Sequence, residues 1–395
     1  MRYVSTRGQE KRLNFTEALV GGLASDGGLL VPDSLPTLPP SWAKWSYQEA
    51  MAGSLELFGA QNVDELVASA ASRFNHSDIA PIVDVSDRLV FELFWGPTLS
   101  FKDHALQIVA RLLDREVERG TILGATSGDT GSAAIEAVRG SESLDIVILF
   151  PEGRVSDFQR RQMTTVSDAN VTVVAVRGTF DDCQALVKEM FGKYDLLAIN
   201  SINWARIAAQ VGYYIFAGSR IGEAFDLVVP TGNFGNAYSA WTAKQMGVPI
   251  ETITIANNAN HALADRITEG TLSPSDVVAT LAPSMDIQIP SNLERFTGNP
   301  STEFVTGWST DGQIIETIAE VQTDHGYALD PHTATAWRAG YLTKTDRPQL
   351  VAATAHPAKF STEIAQPHGY PDLALLPERV VTIENDPSDL ESLIR

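Results

Sequence analysis

Apolar and polar positions settle into a regular rhythm from about residue 121 onward. Short β-branched runs recur there: TILGAT (121–126), DIVILF (145–150), VTVVAV (171–176), LLAIN (196–200), DLVVP (226–230) and ETITIA (251–256). Between them lie stretches of helical length with amphipathic spacing, SDFQRRQMTTV, TFDDCQALVKEMFGK and ARIAAQVGYYIFAGSRIGEA among them. Thr179 followed three residues later by Asp182 is a capping signature for one of these helices. Strands alternating with helices predict parallel sheets covered on both faces. Residues 1–95 read as mixed structure punctuated by proline, with PDSLPTLPPSW (32–42) as its clearest irregular piece. After residue 257 the rhythm weakens, and a last helix (TATAWRAG) and strand (QLVAAT) appear within 333–354. The pattern predicts an α/β protein of two open parallel-sheet lobes. Residues 1–95 form an N-terminal extension with part of the large lobe, 96–215 one lobe and 216–395 the other.

Composition narrows the function. A chain of 395 residues with 44% hydrophobic and 20% charged positions is a soluble globular protein, long enough for two domains. Its 29 basic against 49 acidic residues give a net charge of −20, which works against binding nucleic acid or an anionic membrane. A small anion needs local donors to overcome that field. One cysteine, Cys183, leaves no intrachain disulfide and no cysteine-rich zinc site, and no metal is expected. The apolar piece ALVGGLAS is too short to span a membrane, and GYYIFAGSRIGEAF is broken by Arg220 and Glu223. A cytoplasmic enzyme acting on a small molecule is expected, as monomer or homodimer.

In open α/β sheets ligands sit beyond the carboxyl ends of strands, so the loops entering helices carry the chemistry. In VVPTGNFGNAYSAW (228–241) the turn Thr231-Gly232-Asn233-Phe234-Gly235-Asn236 leads from a strand into a helix. Two glycines let backbone N–H groups converge at a helix start, a cradle suited to a phosphate, although a plain tight turn would use the same residues. The G-x-G-x-x-G fingerprint is missing and no G-x-x-x-x-G-K-[ST] loop occurs, which excludes NAD and ATP. In ILGATSGDTGSAAIEAV (122–138), Ser127, Gly128, Asp129, Thr130 and Gly131 gather short donors suited to a carboxylate. Asp129 is the odd member, since it would repel an anion unless it caps the helix or points away. INSINWARIAAQ (199–210) gathers Asn200, Ser201, Asn203 and Arg206 at another strand-to-helix transition, a reasonable second anion site, although Arg206 taken alone reads as a solvated surface cation. In SFKDHALQIVARLLDREVERG, Ser100 and Asp103 read as a capping pair, which puts Lys102 at the second helical position. A cation there opposes the helix dipole by roughly 0.3–1 kcal/mol. A solvated lysine tolerates that, but a partly buried one loses its proton more readily and becomes a nucleophile. A lysine nucleophile, a phosphate cradle and a carboxylate loop together suggest pyridoxal phosphate held as a Schiff base. In VAATAHPAKF (351–360), the Thr354 hydroxyl at a strand end could meet a pyridine nitrogen, and His356 reads as a packed histidine.

ELFWGPTLSFKD, GATSGDTGSAA, LFPEG, NSINWARI, PTGNFGN and TAHPAKF, with MRYVSTRG and DGGLLVPD near the start and PSMDIQIPSNLERF at 283–296, together resemble the threonine synthase family, of the longer type with an N-terminal extension. The likeness runs in order from residue 1 to about 362. It implies the pyridoxal-phosphate fold type II, similar to the tryptophan synthase β chain, with the cofactor between two α/β lobes. It implies that Lys102 carries the cofactor, that Gly232, Asn233, Phe234, Gly235 and Asn236 hold its phosphate, and that Thr354 meets its ring nitrogen. It further implies that Ser127, Gly128, Asp129, Thr130 and Gly131 hold the substrate's amino-acid end, and that Asn200, Ser201 and Arg206 hold its phosphate. The implied reaction turns O-phospho-L-homoserine and water into L-threonine and phosphate, a lyase step of threonine biosynthesis. The family commonly has a histidine where Trp95 stands. That departure keeps two alternatives open, a phospho-lyase making 2-oxobutyrate and a catalytically silent pyridoxal-phosphate-binding homologue. His104 is a candidate substitute for the missing histidine.

Overall fold

The β-branched runs become strands because their side chains are covered from both sides by helices. The computed structural model describes residues 1–8, 12–272 and 276–394. In chain order the strands are β1 (Tyr3–Ser5), β2 (Leu30–Pro32), β3 (Ile82–Val85), β4 (Arg88–Glu92), β5 (Gly120–Ala125), β6 (Leu144–Pro151), β7 (Val171–Val176), β8 (Phe225–Pro230), β9 (Ile250–Asn257), β10 (Phe304–Trp308), β11 (Gln349–Ala353) and β12 (Val381–Ile383). They form two larger sheets. One has the order β12-β7-β6-β5 and is parallel throughout. The other has the order β10-β9-β8-β11-β4-β3 and is parallel except for its edge strand β3. Register is set by the apolar runs: Ile122 faces Ile146, Ile148 faces Val173, and Leu350 faces both Leu89 and Leu227. β1 and β2 pair antiparallel as a small ribbon in the N-terminal extension.

Both larger sheets combine segments far apart in the sequence. β3 and β4, before residue 95, belong to the six-stranded sheet, while β12, near the C-terminus, completes the four-stranded one. LLAIN, expected as a strand, contributes only an isolated parallel bridge between Leu197 and Ile122. The proline-rich segment holds a short 3-10 turn at Pro40–Lys44.

The helix Trp204–Ile221 fills the centre of the molecule. Its sequence reads as amphipathic, yet every residue from Trp204 to Gly218 is buried, because the helix Tyr47–Leu57 of the extension packs on the face that would otherwise be wet. Gly212 allows that approach, since a Cβ there would lie 2.8 Å from Met51 Sδ, and Gly218 makes room on another side, where a Cβ would lie 2.6 Å from Val248. The helix Phe180–Phe191 starts at the expected cap, Thr179 Oγ1 accepting from the Asp182 amide at 3.2 Å and the Asp182 carboxylate accepting from the Thr179 amide at 2.7 Å. Among the described residues no helix is long and apolar enough to cross a membrane.

Candidate active site

Lys102 opens the helix Lys102–Glu116, and its placement differs from the capping pair the sequence suggests. Phe101 is the N-cap, without a side-chain cap, so Lys102 is the first helical residue. The Asp103 carboxylate turns back instead to accept from Thr98 N and Thr98 Oγ1, both at 2.8 Å. This ties the Gly96-Pro97-Thr98 turn under the helix start. The chain reaches Lys102 through Leu99, whose φ of 58° is rare for a residue with a side chain. Leu99 is fully buried, and its carbonyl accepts from His356 N at 3.1 Å while Phe101 N donates to Thr354 O at 2.9 Å. The lysine is thereby clamped to the residues that follow β11. Thr354 and Lys102, 252 positions apart in sequence by their numbers, come to one wall.

That wall belongs to a cavity of about 660 Å³ between the two sheets. Lys102, Ser127, Asp129, Thr130, Asn200, Ser201, Arg206, Thr354 and all of Gly232 to Asn236 line it. Gly128 and Gly131 do not. Their amides donate to Thr126 Oγ1 at 3.0 and 2.9 Å, and Gly128 has a φ of 146°. They shape the loop by leaving space: a Cβ on Gly128 would fall 2.6 Å from the Gln159 side chain, and one on Gly131 2.5 Å from Thr126 Cγ2. Asn203, grouped by sequence with the donors, caps its helix by accepting from Ala205 N at 3.0 Å and is fully buried.

The loop between β8 and the helix Gly235–Met246 turns at Phe234, which is buried with φ 64°. Gly232 approaches another segment so closely that a Cβ would lie 2.5 Å from the Ser284 carbonyl oxygen. The Asn233 side chain is engaged, accepting from Ser291 N at 2.6 Å and from Ser291 Oγ at 2.7 Å while donating to Ser201 Oγ. What Asn233 offers a phosphate is therefore backbone. Asn236 Oδ1 accepts from the buried hydroxyls of Tyr213 at 2.5 Å and Tyr214 at 2.8 Å, leaving its buried Nδ2 without a partner. Arg206 is buried, donates from Nη1 to Ile199 O at 3.3 Å, and also has an unpartnered Nε. Burial pulls its guanidinium down to about 10, so it stays charged at neutral pH. Buried donors left without partners at two points of the cavity wall fit anionic ligands such as two phosphates.

Asp129 is the electrostatic centre. Its Oδ2 accepts from Lys102 Nζ at 3.4 Å and Ser284 Oγ at 3.1 Å. Its Oδ1 accepts from Gln159 Nε2 at 2.8 Å and Lys359 Nζ at 2.6 Å. Burial alone would raise its proton affinity, but the two ammonium groups hold the carboxyl well below the usual carboxylate range. Lys102 keeps 11% of its side chain exposed. Burial, together with the Lys359 and Arg206 cations, lowers its proton affinity against the opposing pull of Asp129. Ser284 also ties His332 to the site, its amide donating to His332 Nε2 at 3.2 Å while His332 Nδ1 pairs with Asp330 at 2.7 Å. Sequence reasoning missed Lys359, Gln159, Ser284, His332 and the tyrosine pair. Lys359 lies in TAHPAKF and Ser284 in PSMDIQIP, but nothing local marks either as facing a site.

The histidine and tryptophan near the lysine lie elsewhere. His104 is buried, pairing with Tyr47 Oη at 2.7 Å and Leu93 O at 3.1 Å, and burial pushes it down to about 3. It is a neutral packing residue and does not substitute for a missing histidine. Trp95 donates to Glu92 at 2.8 Å and packs against His76, Phe94 and His356, outside the cavity lining. His356 caps a short turn by accepting from Ala358 N at 3.2 Å, and burial pushes it down to about 4.

Comparison with known proteins bears on this site. A family described as "Pyridoxal-phosphate dependent enzyme" matches residues 91–353, and one described as "Threonine synthase N terminus" matches residues 2–69. A threonine synthase from Pseudomonas aeruginosa is 38% identical over 100% of this chain and 98% of its own length. One from Schizosaccharomyces pombe is 36% identical, covering 92% of this chain and 88% of its own. The crystal structure of a threonine synthase from Brucella melitensis with bound pyridoxal phosphate superposes with a TM-score of 0.94 at 38% identity, over 100% of this chain and 98% of the other.

Proposed function

The chain belongs to the threonine synthase family of pyridoxal-phosphate enzymes with the type II fold and converts O-phospho-L-homoserine and water into L-threonine and phosphate; from that premise we propose how its residues divide the work. The observation that carries the division is the shared wall, where one partly buried lysine faces two separate sets of anion donors.

Lys102 would hold the cofactor, and its free amine is the base that takes the proton from the substrate's Cα and later returns one. The lowered proton affinity of its amine favours that role. The amides of Gly232 to Asn236 and Asn236 Nδ2 would hold the cofactor phosphate, and the Thr354 hydroxyl would serve its ring nitrogen. When bound, pyridoxal phosphate supplies an electron sink for the negative charge left at the substrate's Cα. Ser127 and Thr130, at the start of the helix Asp129–Val138, hold the substrate carboxylate. Arg206, with Asn200 and Ser201, holds the substrate phosphate and stabilises the charge that develops as the Cγ–O bond breaks. A second proton leaves Cβ as the phosphate departs, water then adds its hydroxyl at Cβ, and protons return to Cγ and Cα. Ser201 is fixed for phosphate binding by the Asn233 side chain, which couples the two phosphate sites through one hydrogen bond.

The reading is tested by locating the cofactor. Reduction of the loaded enzyme with borohydride, followed by peptide mass mapping, is expected to find the adduct on Lys102. An adduct on Lys359, the other lysine beside Asp129, or on no lysine contradicts the assignment.

A further inference from the structure

Asp129 places a carboxylate in the loop that we read as receiving the substrate's own carboxylate, and the following inference rests on that reading. The positive end of the helix Asp129–Val138 favours an anion there. A bare Asp129 would cancel that advantage. Among the described residues two cations lie within hydrogen-bond distance of it, Lys102 and Lys359. Lys102 cannot be the standing counter-ion, because a base must be neutral when it takes a proton. Lys359 has no such duty. Its side chain is fully buried, it does not line the cavity, and its Nζ donates to Asp129 Oδ1 at 2.6 Å and to the Thr98 carbonyl at 2.9 Å. Thr98 is itself pinned by the Asp103 carboxylate and accepts from Gln162 Nε2 at 2.9 Å. The remaining partners of Asp129, Gln159 and Ser284, are neutral.

We propose that Lys359 is a positioning residue that neutralises Asp129 permanently, so that the Thr126–Gly131 loop accepts an anionic substrate in every state of Lys102. It also joins the turn before Lys102 to the substrate loop through one ammonium group, behind the cavity wall. A buried pair of this kind is costly to break on one side and far less costly to remove whole, because a lone buried charge is what penalises the site.

The test compares Lys359→Met, Asp129→Asn combined with Lys359→Met, and Thr130→Val in the loaded enzyme, by KM for O-phospho-L-homoserine, kcat and melting temperature. Lys359→Met is expected to raise KM at least about tenfold, with a smaller change in kcat. The double variant is expected to show a KM at least about threefold below that of Lys359→Met, a recovery that lost packing alone would not show. An unchanged KM in Lys359→Met, or a KM in the double variant no lower than in Lys359→Met, overturns the proposal. Where Lys359→Met does not fold, Lys359→Gln, which keeps a donor to Asp129 without the charge, is read in its place. Thr130→Val is expected to raise KM as well; an unchanged KM there faults the reading of the loop itself, whereas raised KM in Thr130→Val beside unchanged KM in Lys359→Met faults the role of Lys359.

Discussion

At Lys102 burial works against the charged form, Asp129 works for it, and Lys359 and Arg206 work against it, with a net lowering. A lysine of lowered proton affinity is neutral over more of the pH range, and the neutral form takes the Cα proton. The pH profile of kcat is therefore expected to rise through a limb below the ordinary lysine value of about 10.4 and to level off above it. A limb at or above that value contradicts the role. Arg206 carries a second prediction. Its unpartnered Nε makes it a donor in reserve, so Arg206→Gln is expected to cost about 1.5–3 kcal/mol of phosphate recognition, roughly a ten- to hundredfold rise in KM, with inhibition by inorganic phosphate weakened in parallel. Both residues were readable from sequence, Lys102 from its odd place at a helix start and Arg206 from the resemblance. Lys359 was not, because its meaning lies in a partner 230 positions away and its own neighbourhood reads as an ordinary turn.

Elements were legible where a pattern repeats and less so where tertiary contacts override it. The expected strands from 121 to 256 formed apart from LLAIN, which pairs with β5 by one bridge and otherwise serves as the approach to Asn200 and Ser201. The capping expectation held at Thr179 and failed at Ser100, for a definable reason. Asp103 found two donors on Thr98, closer to the site, and so tethers the turn instead of the helix end. Two non-glycine residues with left-handed backbone, Leu99 and Phe234, sit at the starts of the lysine helix and the phosphate helix. Neither is marked by its residue type, since the surrounding packing imposes the conformation. The Gly232 turn carries the prediction for this scale. A Cβ there would meet the Ser284 carbonyl at 2.5 Å and Met285 Cα at 3.0 Å, both backbone, so one segment must move. Gly232→Ala is expected to weaken cofactor affinity by about tenfold or more, in line with the 1–3 kcal/mol of overpacking, as read by titrating pyridoxal phosphate into stripped enzyme. Unchanged affinity would show that this turn does not hold the cofactor phosphate.

For the whole molecule, function depends on how the two sheets share the chain. β4 and β11 lie side by side in the larger sheet, so the segment leading to Lys102 and the one carrying Thr354 leave it together. The substrate loop leaves the smaller sheet at the end of β5, across the cavity. A fold class of two parallel-sheet lobes was legible from alternation alone, but this interleaving was not, because pairing between strands hundreds of residues apart leaves no local trace. The central helix likewise looked amphipathic until the N-terminal extension was seen to cover it. The same whole-molecule view removes the support that Trp95 gave to a different product: the residue packs beside His356 and Glu92, away from the cavity wall. The most direct test is to incubate the enzyme loaded with pyridoxal phosphate with O-phospho-L-homoserine and to quantify phosphate, L-threonine and 2-oxobutyrate in the same sample, beside Lys102→Ala. Equimolar phosphate and threonine, with turnover lower by roughly 10³-fold in the variant, is the expected result. Phosphate released with 2-oxobutyrate in place of threonine, or a Lys102→Ala variant that keeps full turnover, would contradict it.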